Sequence, residues 1–174
     1  MRVKENIEDL LQSDDDVTIW LKQAGYPAPT LADKTGPVTL LRSARRLRES
    51  VRSLVERRKI GRRGDTFVLN FFLAANRSYP QLIWRKSTVP TMETVRRQET
   101  VESILAPVAE AAASLLSTPN FELIKHCEDD TCSFWFFDQT KSHNRRWCSM
   151  EICGNRSKVA AYRIRDRNRR LPIS

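Results

Sequence analysis

The chain has 174 residues, 40% of them hydrophobic and 29% charged, with a formal net charge of +9. That length holds one ordinary domain, or one domain with a small appendage, and the composition excludes a chain disordered throughout. No run of about 18 apolar residues is present, and "MRVKENIEDLLQSDDD" lacks the apolar stretch and cleavage site of a signal peptide, so neither a membrane nor a secreted protein is expected and the location is read as cytoplasmic.

In chain order, Asp14 to Asp16 can cap a short helix through "VTIWLKQAG", with Gly25 as its stop. From Pro37 onward, apolar residues recur at Leu40, Leu41, Ala44, Leu47, Val51, Leu54 and Val55, the 3.6-residue period of one buried helix face. Arg42, Arg45, Arg46, Arg48 and Arg52 fall on its wet side. After "GRRGD", Asp65 can cap a third helix through "TFVLNFFLAAN", which is apolar nearly all round and is expected at the centre of the core. "QLIWRKSTVPTMETVRRQ" reads as a β-hairpin with its turn near Ser87 to Pro90. A fourth helix is expected from Val101 to Leu116, with Pro107 either kinking it or marking its first turn.

After Asn120 the texture changes. Two β-prone runs flank Cys127 and Cys132, placing both in the turn of a hairpin, and "GNRSKVAAYRIRDRNRR" reads as a helix starting close to Cys153. All four cysteines follow the spacing C-x4-C-x15-C-x4-C. In a reducing compartment such short-spaced pairs point to metal ligands, with two disulfides as the alternative. Cys127, Cys132, Cys148 and Cys153 can supply the four thiolates of one closed, structural Zn2+ site, contributing on the order of 10 kcal/mol to a module with little apolar material of its own. Phe134, Trp135, Phe136, Phe137 and Trp147 are expected to form a small core beside the metal. His126 and His143 are spare, since four cysteines satisfy zinc.

Positive charge is concentrated in residues 42 to 63 and 141 to 174, each net +8 on a net acidic background. Two such segments read as a polyanion binder, most simply of nucleic acid, although solvated helix faces give the same pattern. On the last helix, Arg156, Arg163 and Arg167 form one stripe and Lys158, Arg165 and Arg169 another roughly opposite. Val159 and Tyr162, or Ala161 and Ile164, lie between and could anchor the helix to the aromatic residues. "SHNRR" at His143 has a superficial likeness to zinc-supported nucleases, but that chemistry needs further His, Asn or carboxylate groups converging on a catalytic metal and the following helix offers only Asn155, Asp166 and Asn168; no Gly-rich phosphate loop, nucleophile elbow or HExxH pattern appears. No enzyme is expected.

The run "RRWCSMEICGNR", preceded by "FFDQTKSHN" and the first cysteine pair, resembles the signature of the CGNR zinc finger family of bacterial proteins, with Cys153, Gly154, Asn155 and Arg156 as the naming letters. "WLKQAG" and "ILAPVAEAAASLL" resemble the ABATE-type domain that precedes this finger in a family of stress-induced transcription regulators. The resemblance implies zinc, DNA binding and a regulatory role, and against the family's pattern the N-terminus is read as shortened. The expected fold class is therefore α+β. A mainly helical ABATE-like domain with a β-hairpin spans 1–119, and a small treble-clef-like finger, β-hairpin plus basic helix, spans 120–174. The candidate DNA contacts are Arg145, Arg146, Asn155, Arg156, Lys158, Arg163, Arg165, Arg167 and Arg169. Duplex DNA is the expected partner, with pairing of two copies through the N-terminal domain as a further role. The competing reading is a zinc-stabilised protein-interaction module whose basic helix docks on an acidic protein.

Overall fold

The structure is a computed structural model that describes residues 9–27, 29, 39–86 and 89–170. It divides into two compact units, one of Asp9–Thr118 and one running on from Pro119. The start of the second helix at Pro37 and the hairpin-turn residues Ser87 and Thr88 lie outside the described residues.

In the first unit, helix α1 spans Asp14–Gln23. Its cap is Ser13 rather than an aspartate: the Ser13 hydroxyl accepts from Asp16 N at 3.1 Å while Asp16 accepts from Ser13 N at 2.8 Å, the reciprocal pair that satisfies two end donors. Asp14 does something else. Its carboxylate accepts from Leu41 N at 2.7 Å, so the start of α1 also caps the start of α2, which spans Leu40–Lys59. Both helices end in the same way. Gly25 and Gly61 take positive φ of 82° and 66°, and the residue after each donates back into the last turn, Tyr26 N to Leu21 O and Arg62 N to Arg57 O, each at 2.9 Å.

Helix α3 (Phe67–Ala74) is less central than its composition implies. Only Leu69 and Phe72 are buried; Phe67 is 67% exposed, and Phe71 carries the Arg46 guanidinium 5.5 Å from its ring centre. Two turns of helix offer a single face to their neighbours, whatever the rest of the circumference is made of. Asp65 does receive the Phe67 N–H at 2.8 Å. Helix α4 spans Val101–Ser117 with Thr100 and Ser103 as a capping pair, so Pro107 lies inside it and does not begin it. The core of this unit joins Val17 and Leu21 of α1, Leu40, Ala44, Leu47 and Leu54 of α2, Leu69 and Phe72 of α3, and Ile104, Leu105, Ala109 and Ala112 of α4.

Between α3 and α4, strands β1 (Ser78–Ile83) and β2 (Thr91–Arg96) pair antiparallel, with Ser78 opposite Arg96 and Leu82 opposite Met92. Arg96 ties the base of this hairpin to Glu110 of α4 at 2.9 Å. In the second unit, a 3-10 turn at Phe121–Leu123 leads into β3 (Ile124–His126), which pairs antiparallel with β4 (Trp135–Phe137). A π-helical turn at Met150–Gly154 then opens into α5, Asn155–Arg170. No helix among the described residues is long and apolar enough to cross a membrane.

Candidate metal centre and nucleic-acid interface

The hairpin β3–β4 sets the first half of the centre. Cys127 extends the ladder, its N–H donating to Phe134 O at 2.9 Å, and the chain then turns over Asp129. That carboxylate is buried: one oxygen accepts from Thr131 N at 2.9 Å and from the Thr131 hydroxyl at 2.6 Å, and the Asp129 carbonyl accepts from Cys132 N at 2.8 Å. The turn thereby brings Cys132 back beside Cys127. The second half comes from Cys148 and the π-helical turn, where Ser149 O accepts from both Cys153 N and Gly154 N at 3.0 Å. Gly154 is buried there; a Cβ at this position would stand 2.5 Å from Met150 Sδ, so the exposed Met150 side chain would have to move aside, and at ordinary contact distance, 3.5 Å, from the Trp147 ring.

The four sulfurs lie within 4.8 Å of one another, Cys148 being 3.6 Å from both Cys132 and Cys153. Ligands at about 2.3 Å in a tetrahedron stand about 3.8 Å apart, so the sulfur set fits one zinc ion, and the cysteines are free of disulfides. Burial pushes the Cys127 thiol up, but the backbone N–H groups of Asp129 and Cys148 outweigh it and hold the thiol below its ordinary range. Burial among neighbouring sulfurs raises Cys148 and Cys153 instead. A bound divalent cation inverts that preference and deprotonates the thiols outright.

Trp147 packs against the sulfurs, as expected. The rest of the anticipated aromatic core does not form: Phe134 is 51% exposed and the three residues of β4 are half-buried, while the buried apolar residues are Phe121 and Ile124. The aromatic rings instead carry cations, with Arg145 4.9 Å from the Phe136 ring centre and Arg146 4.8 Å from that of Trp147. Neither flank of α5 anchors to the finger either; Val159, Ala161, Tyr162 and Ile164 are all exposed. His126 meets the edge of Trp135 and His143 places Nδ1 3.3 Å from the Asp138 carbonyl, and neither joins the sulfur set.

A second buried carboxylate, unanticipated, organises the connection from β4 to Cys148. Asp138 is inaccessible to solvent and accepts from Lys125 Nζ at 2.8 Å, Thr140 N at 3.1 Å, the Thr140 hydroxyl at 2.6 Å and Arg145 N at 2.9 Å. Burial alone pushes its pKa up, but the Lys125 ammonium and these donors prevail and hold the carboxyl far below its ordinary range. Lys125 also donates to His143 O at 2.5 Å, and His143 itself sits at a positive φ of 51°. The legible signal was the repeated Asp-x-Thr, at Asp129–Thr131 and Asp138–Thr140, each a side chain folding over its own turn.

The candidate nucleic-acid contacts separate into two sets. Arg145 donates to Trp147 O at 2.9 Å and to Cys148 O; Arg146 donates to Glu128 at 2.6 Å; Asn155 donates to Glu151 O at 2.9 Å; and Arg156 lies 3.1 Å from Asp129. Lys158, Arg163, Arg165, Arg167 and Arg169 are exposed and have no ion-pair partner among the described residues. Three arginines of α2 differ: Arg45 and Arg48 pair with Asp9, and Arg52 with Glu49.

A helical unit followed by a four-sulfur finger with a basic helix is the build of a zinc-binding regulator. Family comparison agrees: residues 1–119 match ABATE, "putative stress-induced transcription regulator", and residues 124–166 match the CGNR zinc finger. The chain belongs to the ABATE family and carries a CGNR finger with one structural zinc. A search of curated proteins finds no match to it.

Proposed function

We propose that this regulator binds duplex DNA through α5, with Cys127, Cys132, Cys148 and Cys153 holding the zinc that fixes the start of that helix. Lys158, Arg163, Arg165, Arg167 and Arg169 meet phosphates on either side of a groove, and the domain over residues 1–119 senses a signal or pairs two copies. The observation that carries this reading is a contrast between two sets of cations: Arg45, Arg48 and Arg52 of α2 are engaged by Asp9 and Glu49, whereas Lys158, Arg163, Arg165, Arg167 and Arg169 of α5 are exposed with no ion pair among the described residues. A cation row without internal partners is what counterion release from a polyanion uses. Zinc supplies the cross-link; the arginines supply the field.

Fluorescence anisotropy on duplex DNA tests it. Five neutralised phosphates give a slope of log K against log salt of about −4.5. Substituting Arg163→Gln, Arg165→Gln, Arg167→Gln and Arg169→Gln together is expected to flatten the slope to about −1, and chelation of zinc to abolish binding. A slope near zero for the zinc-loaded protein overturns the reading.

A second reading has its own support. Val159, Tyr162 and Ile164 are 48%, 64% and 59% exposed on the same helix, which suits an acidic protein partner with apolar contacts. Absence of DNA binding at low salt, with retained zinc, favours it.

A further inference from the structure

Arg156 is the residue on which both halves of the metal centre converge. Its Nε is 3.1 Å from Asp129 Oδ2, its Nη1 donates to the Thr131 hydroxyl at 2.7 Å, and its Nη2 stands 3.9 Å from Cys153 Sγ. Asp129 is 5% exposed, and the oxygen facing Arg156 has no other hydrogen-bond partner, the contact with Nε being an ion pair of imperfect angle. The Asp129 turn carries Cys127 and Cys132, whereas Arg156 rides on the first turn of α5, directly after Cys153. One guanidinium therefore spans from the hairpin's sulfur pair to the helix's sulfur pair without passing through the metal. Since Val159, Ala161, Tyr162 and Ile164 do not pack on the finger, no apolar face takes over this task.

We infer that Arg156 is a positioning residue, a latch that sets the direction of α5 against the β3–β4 hairpin and stabilises the thiolate cluster, and is not itself a DNA contact. Four thiolates on one Zn2+ leave a net charge of −2, and a cation held beside Cys153 by a buried carboxylate offsets part of it. The fork geometry matters because Nε, Nη1 and Nη2 each face a different group; an ammonium at the same place reaches one of them at a time.

Three readouts on the full-length protein separate this from a phosphate contact and from a general loss of fold. Competition with a chromophoric chelator is expected to show zinc affinity reduced about 10- to 100-fold in Arg156→Gln, the range for groups that orient metal ligands, and by less in Arg156→Lys. Asp129→Asn, which keeps the Thr131 contacts but removes the charge facing Arg156, is expected to weaken zinc similarly, and the double variant to add little more. In the cobalt-substituted protein, Arg156→Gln is expected to move the thiolate-to-metal charge-transfer band to lower energy, because the sulfur electrons lose a neighbouring positive charge; a purely structural role leaves the band in place. The last arm rests on the DNA reading above: at saturating zinc the salt slope of Arg156→Gln stays that of the parent, whereas Arg163→Gln reduces it by about 1. Unchanged zinc affinity, an unmoved band, or a slope that falls by about 1 in Arg156→Gln overturns the latch. If the parent does not bind DNA at all, that reading fails, and the zinc and cobalt results still decide for Arg156.

Discussion

In the helical unit the buried positions are Val17, Leu21, Leu105, Phe72 and their apolar neighbours; in the finger they are Cys127, Cys132, Cys153, Asp129 and Asp138, with Phe121 and Ile124 beside them. The first unit is long enough for four helices to exclude water from a shared interior, and non-directional burial suffices. The second is too short for that. Its interior is a set of directed bonds: sulfur to metal, carboxylate to turn, carboxylate to cation. Directed bonds fix angles where an apolar interior fixes mainly volume, and in the finger it is such bonds that meet at the start of α5.

Breaking each interior by its own weakest point sharpens the contrast. The largest effect is expected from zinc removal, which withdraws an apparent stabilisation on the order of 10 kcal/mol from the finger, and Cys153→Ser, which leaves three sulfurs, should withdraw part of it. Amide exchange at β3, β4 and the first turn of α5 should become unprotected while α2 and α4 keep their protection. Phe72→Ala, at a position 1% exposed, should destabilise the helical unit by about 3–5 kcal/mol in denaturant titration and leave zinc affinity unchanged. Gly61→Ala forces a side chain into φ +66° at the end of α2 and should cost about 1 kcal/mol in the same titration.

The smallest effect concerns pH. Asp9 is held at about 2 from its ordinary 3.8, chiefly by the hydrogen bond from Arg48. A depressed acid contributes its stability above the unfolded value, and loses it as pH falls from near 4 through about 2. Asp9 is about one-third exposed, so solvent screening keeps this below about 1 kcal/mol. Asp9→Asn should flatten that part of the acid limb by as much. The finger should fail earlier on the same descent, because protons compete with zinc for the thiols.

Much of the helical unit was legible because its signals are local. The 3.6-residue period of α2 marked Leu40, Ala44, Leu47 and Leu54 as a face, and all four are buried. Gly25 was readable as a stop because only the left-handed region closes a helix that way. The centrality of α3 was misread because an apolar circumference does not say how many neighbours will cover it. In the finger the cysteine spacing and the start of α5 were readable, again local features. The Asp-x-Thr turns at Asp129 and Asp138 are local as well, but the contacts of Arg156 with Thr131 and of Lys125 with Asp138 span 25 and 13 residues, and nothing in a linear pattern ties such pairs. The aromatic run after Cys132 was read as a core because aromatic residues usually bury; here Phe136 and Trp147 lie against guanidinium groups instead.

Helix α5 is 16 residues long, exposed along nearly all its length, and rich in like charges beyond its first turn. An unsupported helix of that length is marginal in water, and repulsion between neighbouring cations lowers its stability further, although the cations of its last turns complement the helix dipole. Its far turns are therefore expected to gain helicity when a polyanion neutralises them. Calorimetry of association would then register ordering as well as contact, with an unfavourable entropy of chain fixation set against counterion release. The affinity of such a helix becomes a property of its own folding equilibrium, so a neutral substitution that raises helix propensity on its exposed side, away from every cation, would tighten binding without adding a single contact.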